Sequence, residues 1–206
     1  MSGLFISFEG IDGVGKSTQA DALETFVRSH GLDVVRTLEP GGTELGQEIR
    51  HLLLHRKGDV SPRAEALLYA ADRSHHVATK IRPALEAGKV VIIDRYLDSS
   101  VAYQGAGREL ETKEIRDLSL WATNGLLPNL TILLDLDPEL ARARRDNTGT
   151  EPDRLEREKV EFFAAVRQGY LELAAAEPER FLVIDATSSK EQIQAQIQVR
   201  VAELLK

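Results

Sequence analysis

The stretch Leu4-Phe5-Ile6-Ser7-Phe8-Glu9-Gly10-Ile11-Asp12-Gly13-Val14-Gly15-Lys16-Ser17-Thr18 decides the fold. The apolar run Leu4–Phe8 leads into a loop that fits G-x-x-x-x-G-K-[ST] at every fixed position. An amphipathic segment follows, with Leu23 and Val27 on one face, and stops at Gly31. That order of strand, loop and helix is what the motif needs. Glycines let backbone N–H groups wrap a phosphate, and the helix aims its positive end at the same anion. Gly10, Ile11, Asp12, Gly13, Val14, Gly15 and Thr18 then form the cradle of ATP. Lys16 serves the β- and γ-phosphates, and Ser17 offers an oxygen to Mg²⁺.

Working outward, the apolar runs Val34–Leu38, Val90–Ile93, Leu130–Leu136 and Phe181–Ile184 alternate with longer helical segments. Runs of Val, Ile and Leu without polar alternation are strands covered on both faces, so the expected fold is α/β: a five-stranded parallel sheet flanked by helices. Ser61-Pro62 starts a helix that runs to about Ala87, with Pro83 expected to kink or break it. Ser189 and Gln192 form a capping box for the last helix. Arg144–Arg157 fits neither period and reads as a mobile loop.

The chain has 206 residues, 42% hydrophobic and 29% charged, which suits one domain over residues 1–206. A net charge of −7 argues against a broad nucleic-acid surface. With no cysteine, disulfides, thiolate metal sites and cysteine nucleophiles are excluded. No secretory pattern opens the chain, and no apolar run approaches the roughly 18 residues of a membrane helix, so the expectation is a cytoplasmic protein with no membrane partner. The Asn-Lys-x-Asp guanine signature is missing. His30, His51, His55, His75 and His76 are scattered, and they read as surface or core residues rather than metal ligands.

Beyond the phosphate loop come Glu39-Pro-Gly-Gly-Thr43, Asp94-Arg95-Tyr96, Tyr103-Gln104-Gly105 and Asp153-Arg154. In this order and at these separations the set resembles the bacterial thymidylate kinases, from Leu4 to the final helix. The resemblance implies a P-loop nucleoside monophosphate kinase fold with a lid, transfer of the γ-phosphoryl group of ATP to dTMP, and a homodimer. It also implies that Asp12 accepts the 3′-hydroxyl of the sugar and that Arg95 clamps the dTMP phosphate, a task suited to a planar guanidinium. Asp94 is placed to reach Mg²⁺ through water, and the alternative for Asp94-Arg95 is a structural ion pair. Tyr69 and Arg73 share a helix face. By resemblance they meet the thymine ring and its O4 edge, with core packing the other reading of Tyr69. Ser100, Tyr103 and Gln104 finish the pocket, Tyr103 near the sugar 2′ position. Arg50 is either near the acceptor phosphate or a solvated helix arginine, and Glu9 either serves the metal's waters or anchors the strand end.

No basic residue other than Lys16 lies in the phosphate loop. The family branch with that feature draws arginines from a lid, here about residues 144–157. Arg142, Arg144, Arg145, Arg154 and Arg157 are the arginines in and beside it, with Arg142 assigned to ATP and Arg144, Arg145 and Arg154 to charge stabilisation. Leu38 stands where the family commonly has an arginine. The rival functions are a kinase for another nucleotide or nucleoside and a nucleotide-binding protein without turnover.

Overall fold

The computed structural model describes residues 3–108, 110–146 and 153–205. Among these, five parallel strands form one sheet: β1 (Phe5–Glu9), β2 (Val34–Leu38), β3 (Val90–Asp94), β4 (Leu130–Asp135) and β5 (Phe181–Asp185), in the order β2-β3-β1-β4-β5. All five residues of β1 are buried, as a central strand with helices on both faces requires. Its register pairs Phe8 with Asp94 on one side and Glu9 with Leu133 on the other. The loops that leave the carboxyl ends of β1 and β3 therefore start side by side, at the edge where ligands of open α/β sheets gather.

Helix α1 (Lys16–Ser29) begins directly from the phosphate loop and buries Leu23 and Val27, as its apolar face demands. Helices α2 (Glu44–Leu54) and α3 (Pro62–His76) form an antiparallel pair beyond β2. The expected break at Pro83 does not occur. Residues Val77–Ile81 instead make a wide π turn, in which Arg82 N–H reaches back to Val77 O, and α4 (Arg82–Glu86) continues from it. Proline lacks an N–H and its ring collides with the carbonyl four residues back in an α-helix, so widening the preceding turn avoids both problems. A second wide turn, Val101–Gly107, extends α5 (Leu97–Ser100) and is followed by α6 (Thr112–Ala122).

The stretch 144–157 is not one loop. Arg144 and Arg145 belong to helix α7 (Pro138–Asp146), while Arg154 donates through Nε to Leu53 O at 2.7 Å. Residues 147–152 lie outside the described residues. Helix α8 (Val160–Ala176) and α9 (Lys190–Leu204) complete the chain, the latter opening with the expected capping box at Ser189 and Gln192. No helix among the described residues is long and apolar enough to cross a membrane.

One buried ion pair links the start of α5 to the start of β5. Arg180 meets Asp98 through two bonds, Nη1 to Oδ2 at 2.6 Å and Nη2 to Oδ1 at 2.9 Å, with Asp98 fully buried. Removing one partner strands a charge that burial has already desolvated. Asp98→Ala is expected to lower stability by about 3 kcal/mol, measured by urea unfolding; a loss of under about 1 kcal/mol would show that Glu177, whose Oε2 accepts from Arg180 Nε at 2.8 Å, is enough to hold that charge.

Candidate active site

Three glycines shape the phosphate loop, and two show why. A Cβ on Gly10 would sit 2.5 Å from Leu134 O, and Gly15 takes φ +96°, a region that L side chains avoid. Ile11 and Val14 turn their side chains into the core, so only their backbone can face a ligand. The Lys16 ammonium lies within the loop, 3.1 Å from both Gly10 O and Ile11 O. Burial lowers its pKa, and Arg95 adds to the effect.

Two cavities open at the ends of β1 and β3. The larger, about 400 Å³, is bounded by Gly13, Gly15, Lys16, Ser17, Thr18 and Asp94, with Arg144 and Arg145 facing them. The smaller, about 90 Å³, is lined by Tyr69, Arg73, Ser100, Tyr103, Gln104 and Pro40. Asp12, Glu39, Arg50 and Arg95 border both. Arg142 borders neither; its side chain is largely exposed, 3.8 Å from Asp146. Arg154 also borders neither, being tied to Leu53 O and to the Glu65 carboxylate.

Arg95 is fixed from several directions. Its Nη2 donates to Asp12 Oδ1 at 2.7 Å and to the Tyr103 hydroxyl at 3.0 Å, and its Nη1 donates to Ser99 Oγ and Tyr170 Oη at 3.2 and 3.3 Å. The guanidinium carbon lies 4.9 Å from the Tyr103 ring centroid. The backbone at Arg95 takes φ +67°, left-handed for a non-glycine residue, which costs about 1–2 kcal/mol. Burial pushes the Asp12 carboxyl up, but Arg95 and then Lys16 outweigh it and hold it well below the usual carboxylate range.

Beneath Arg95 lies Glu9, wholly buried. It accepts from Tyr96 N at 2.8 Å, from Ser99 Oγ at 2.5 Å and from Tyr170 Oη at 3.0 Å. Glu9 borders neither cavity, so the strand-anchor reading describes what its carboxylate does in this structure. Arg73 is also buried. It donates to Glu39 Oε2, Ser119 Oγ, Tyr96 O and Ser100 Oγ, which occupies four of its five N–H groups and leaves one. Arg50 Nη1 donates to Pro40 O at 2.8 Å. Tyr69 packs on the core while bordering the smaller cavity.

A cation fits beside Ser17. Asp94 Oδ1 is buried with no hydrogen-bond partner, and the other carboxylate oxygen lies 3.5 Å from Ser17 Oγ. Among the described residues no group of three or more His, Cys, Asp or Glu side chains could hold a metal alone. That donor set suits Mg²⁺, which keeps its waters and takes its remaining oxygens from phosphates.

The model of the family described as thymidylate kinase matches residues 8–197. The chain belongs to the thymidylate kinase family. It is 65% identical to a thymidylate kinase of Leifsonia xyli, over 97% of this chain and 94% of that protein. It is 62% identical to one of Clavibacter sepedonicus, over 100% of this chain and 97% of that one. The crystal structure of thymidylate kinase from Ehrlichia chaffeensis superposes over 100% of both chains, with a TM-score of 0.78 and 31% identity. Membership makes the chain an ATP-dependent phosphotransferase acting on thymidylate, and the parallel five-stranded sheet is that of the family.

Several residues at the site carried no assignment from sequence. Glu39 was visible only as the first residue of a quoted motif, while Ser99, Tyr170 and Glu65 gave no signal, because each acts through a partner distant in sequence. Leu38, where the resemblance led to expect an arginine, borders the larger cavity and is 42% exposed.

Burial, with the Asp98 charge beside it, raises the Glu9 carboxyl from 4.5 to about 7. The folded protein thus holds a proton there that the unfolded chain releases near pH 4.5, so this group's contribution to stability is lost as pH rises through 7. Relative to wild type, Glu9→Gln is expected to gain stability on the order of 3 kcal/mol between pH 5 and pH 8, read from denaturant unfolding at both values. A difference that does not change with pH would mean that Glu9 is ionised in the fold throughout.

Proposed function

We propose that this family member transfers the γ-phosphoryl group of ATP to dTMP, giving dTDP and ADP, as one kinase unit over residues 1–206. The observation that carries the reading is the pair of cavities meeting at Asp12 and Arg95. Two polyanions can be seated there, with Ser17 and Asp94 at the larger cavity to hold a cation. ATP takes the larger cavity, its phosphates wrapped by Gly10–Thr18 and met by Lys16. The smaller takes dTMP: Arg95 clamps the phosphate with Arg50 nearby, and Asp12 accepts the 3′-hydroxyl. Tyr69 lies on the thymine ring, the remaining Arg73 N–H meets O4, Ser100 and Gln104 close the base pocket, and Tyr103 crowds the 2′ position.

Ser17 and Asp94 would hold Mg²⁺, which when bound neutralises charge on the β- and γ-phosphate oxygens. The protein's own part is alignment and charge. A dTMP phosphate oxygen bonds to the γ-phosphorus as the bond to the β–γ bridging oxygen breaks, and ADP leaves with that oxygen. Arg144 and Arg145 face the donor phosphates from α7, which supports the branch that draws its arginines from outside the phosphate loop. Arg142, assigned to ATP, lies on the same helix with its side chain exposed. Arg154 joins them only by leaving Leu53 O and the Glu65 carboxylate. The same reading carries a cytoplasmic location and excludes nucleic-acid polymers as partners.

Lys16→Ala should cut turnover while dTMP binding survives, and Arg95→Ala should weaken dTMP binding strongly. Arg144→Ala or Arg145→Ala should lower kcat by at least about 100-fold with dTMP affinity unchanged. Calorimetry with each ligand and turnover at saturating substrates separate these outcomes. Wild-type dTMP affinity in Arg95→Ala would remove the clamp, and full kcat in both helix variants would remove the arginine assignment.

The homodimer is supported by one face. Leu45 and Leu52 on α2, Leu67 on α3 and Trp121 on α6 are exposed, Trp121 by 81%. These helices pack side by side, so the apolar residues lie on neighbouring elements. Wild type should sediment as a dimer and Trp121→Glu with Leu67→Glu as a monomer; unchanged sedimentation would move the interface elsewhere.

A further inference from the structure

Glu65, in the first turn of α3, is fully buried and borders neither cavity. Its Oε1 accepts from Gln104 Nε2 at 3.0 Å and from Arg108 Nε at 3.3 Å. Its Oε2 accepts from Arg108 Nη2 at 3.4 Å and from Arg154 Nη2. Burial pushes the carboxyl up, but the bonds from Arg154 and Gln104 and the charges of Arg108 and Arg154 outweigh it and keep it below its ordinary 4.5. It is therefore ionised at neutral pH.

An ionised carboxylate only accepts hydrogen bonds. The Gln104 amide must then turn its NH₂ group toward Glu65. Gln104 is 1% exposed and lines the smaller cavity, and with one Nε2 N–H given to Glu65 the amide presents its opposite end, the carbonyl oxygen Oε1, to that cavity. An acceptor there has a definite preference among bases. Thymine and uracil carry a donor N–H at N3, whereas cytosine carries a lone pair at N3 and a donor amine at C4. The carbonyl oxygen is satisfied by the first pair and meets lone pair against lone pair in the third, a mismatch worth about 1–3 kcal/mol when buried.

We propose that Glu65, without touching substrate, sets base specificity by fixing which end of the Gln104 amide faces the acceptor cavity. This rests on the reading of that cavity as the thymidylate site. Glu65 is a positioning residue, and its neutral isostere removes the constraint, since an amide at 65 can donate or accept and lets Gln104 turn over.

The test is kcat/KM for dTMP, dUMP and dCMP in wild type, Glu65→Gln, Arg108→Gln and Gln104→Leu. In Glu65→Gln the dTMP/dCMP ratio should fall about tenfold or more, mainly through the KM values. The dTMP/dUMP ratio should stay as in wild type, because those bases share the imide edge; a general loosening of the pocket would move both. Arg108→Gln keeps the carboxylate and should keep both ratios. An unchanged dTMP/dCMP ratio in Glu65→Gln, or an equal loss in Arg108→Gln, overturns the proposal. If wild type shows no preference for dTMP over dCMP, the cavity reading itself falls; if Gln104→Leu keeps the full wild-type preference, Gln104 does not read the base and the proposal falls; if Gln104→Leu lowers it and Glu65→Gln does not, only the role of Glu65 falls. Should Glu65→Gln fail to fold, ¹⁵N-glutamine labelling of wild type decides. The Gln104 NH₂ pair, assigned by its loss in Gln104→Leu, should resist solvent exchange before and after dTMP is added. Protection that appears only with dTMP would place the NH₂ group in the cavity and overturn the proposal.

Discussion

A guanidinium wedged where two parallel strands end is the constraint on which the site depends. Arg95 follows β3 directly, in a left-handed conformation, and its Nη2 meets Asp12 of the loop that follows β1. Like charges would push Arg95 and Lys16 apart across that gap, and Asp12, 2.7 Å from the first and 3.6 Å from the second, holds them together. A cation pair so held is suited to a pair of anionic substrates, because each new phosphate replaces solvation that burial has removed. The geometry is then supported from below. Ser99 and Tyr170 touch both Arg95 and Glu9, so the end of β1, the start of α5 and the middle of α8 share one hydrogen-bonded cluster.

A buried acid under a buried guanidinium is costly to assemble, and the structure distributes that cost. Glu9 gives its oxygens to one backbone N–H and two hydroxyls, which spares Arg95 for Asp12 and for whatever enters the cavities. The same division recurs at Arg73, whose Nε is taken by Glu39 while His76 Nδ1 lies 3.0 Å from that carboxylate's other oxygen. His76 Nε2 in turn lies 2.7 Å from Thr37 Oγ1. Buried polar groups of this density fix side chains rather than add stability, since their desolvation offsets most of what the bonds contribute. The return is positional: Glu39 leads into the loop beside Arg50 and Arg73, and the cluster sets where that loop stands.

What was legible in the sequence follows from the range over which each signal acts. The phosphate loop is local, so its glycines and the flanking strand and helix were readable together, and the five apolar runs became the five strands. Helix α9 was readable for the same reason, its cap being closed within four residues. Pro83 was read as a kink or a break, whereas the wide turn at Val77–Ile81 that carries the helix past it is a tertiary choice that no proline announces. Tyr69, Arg73, Ser100, Tyr103 and Gln104 do converge on one cavity. The partners that orient them do not show in sequence: Glu65 and Gln104 stand 39 residues apart, Arg73 and Glu39 34 apart, and only folding brings each pair together.

The arginines beyond α7 divide by the elements that hold them. Arg144 and Arg145 ride on a helix whose ninth and last residue is Asp146, and Arg144 Nη1 is held 3.0 Å from Ala186 O after β5. Their position beside the phosphate loop is thus set by the sheet, and it requires no closure. Arg154 is bound to a carboxylate that no solvent reaches, so bringing it to a donor phosphate means breaking that pair, a change of about 3–5 kcal/mol. Closure would have to return at least that much from new contacts to the transferring phosphoryl. The cheaper arrangement keeps Arg154 where it is, against the Glu65 carboxylate that also holds Gln104.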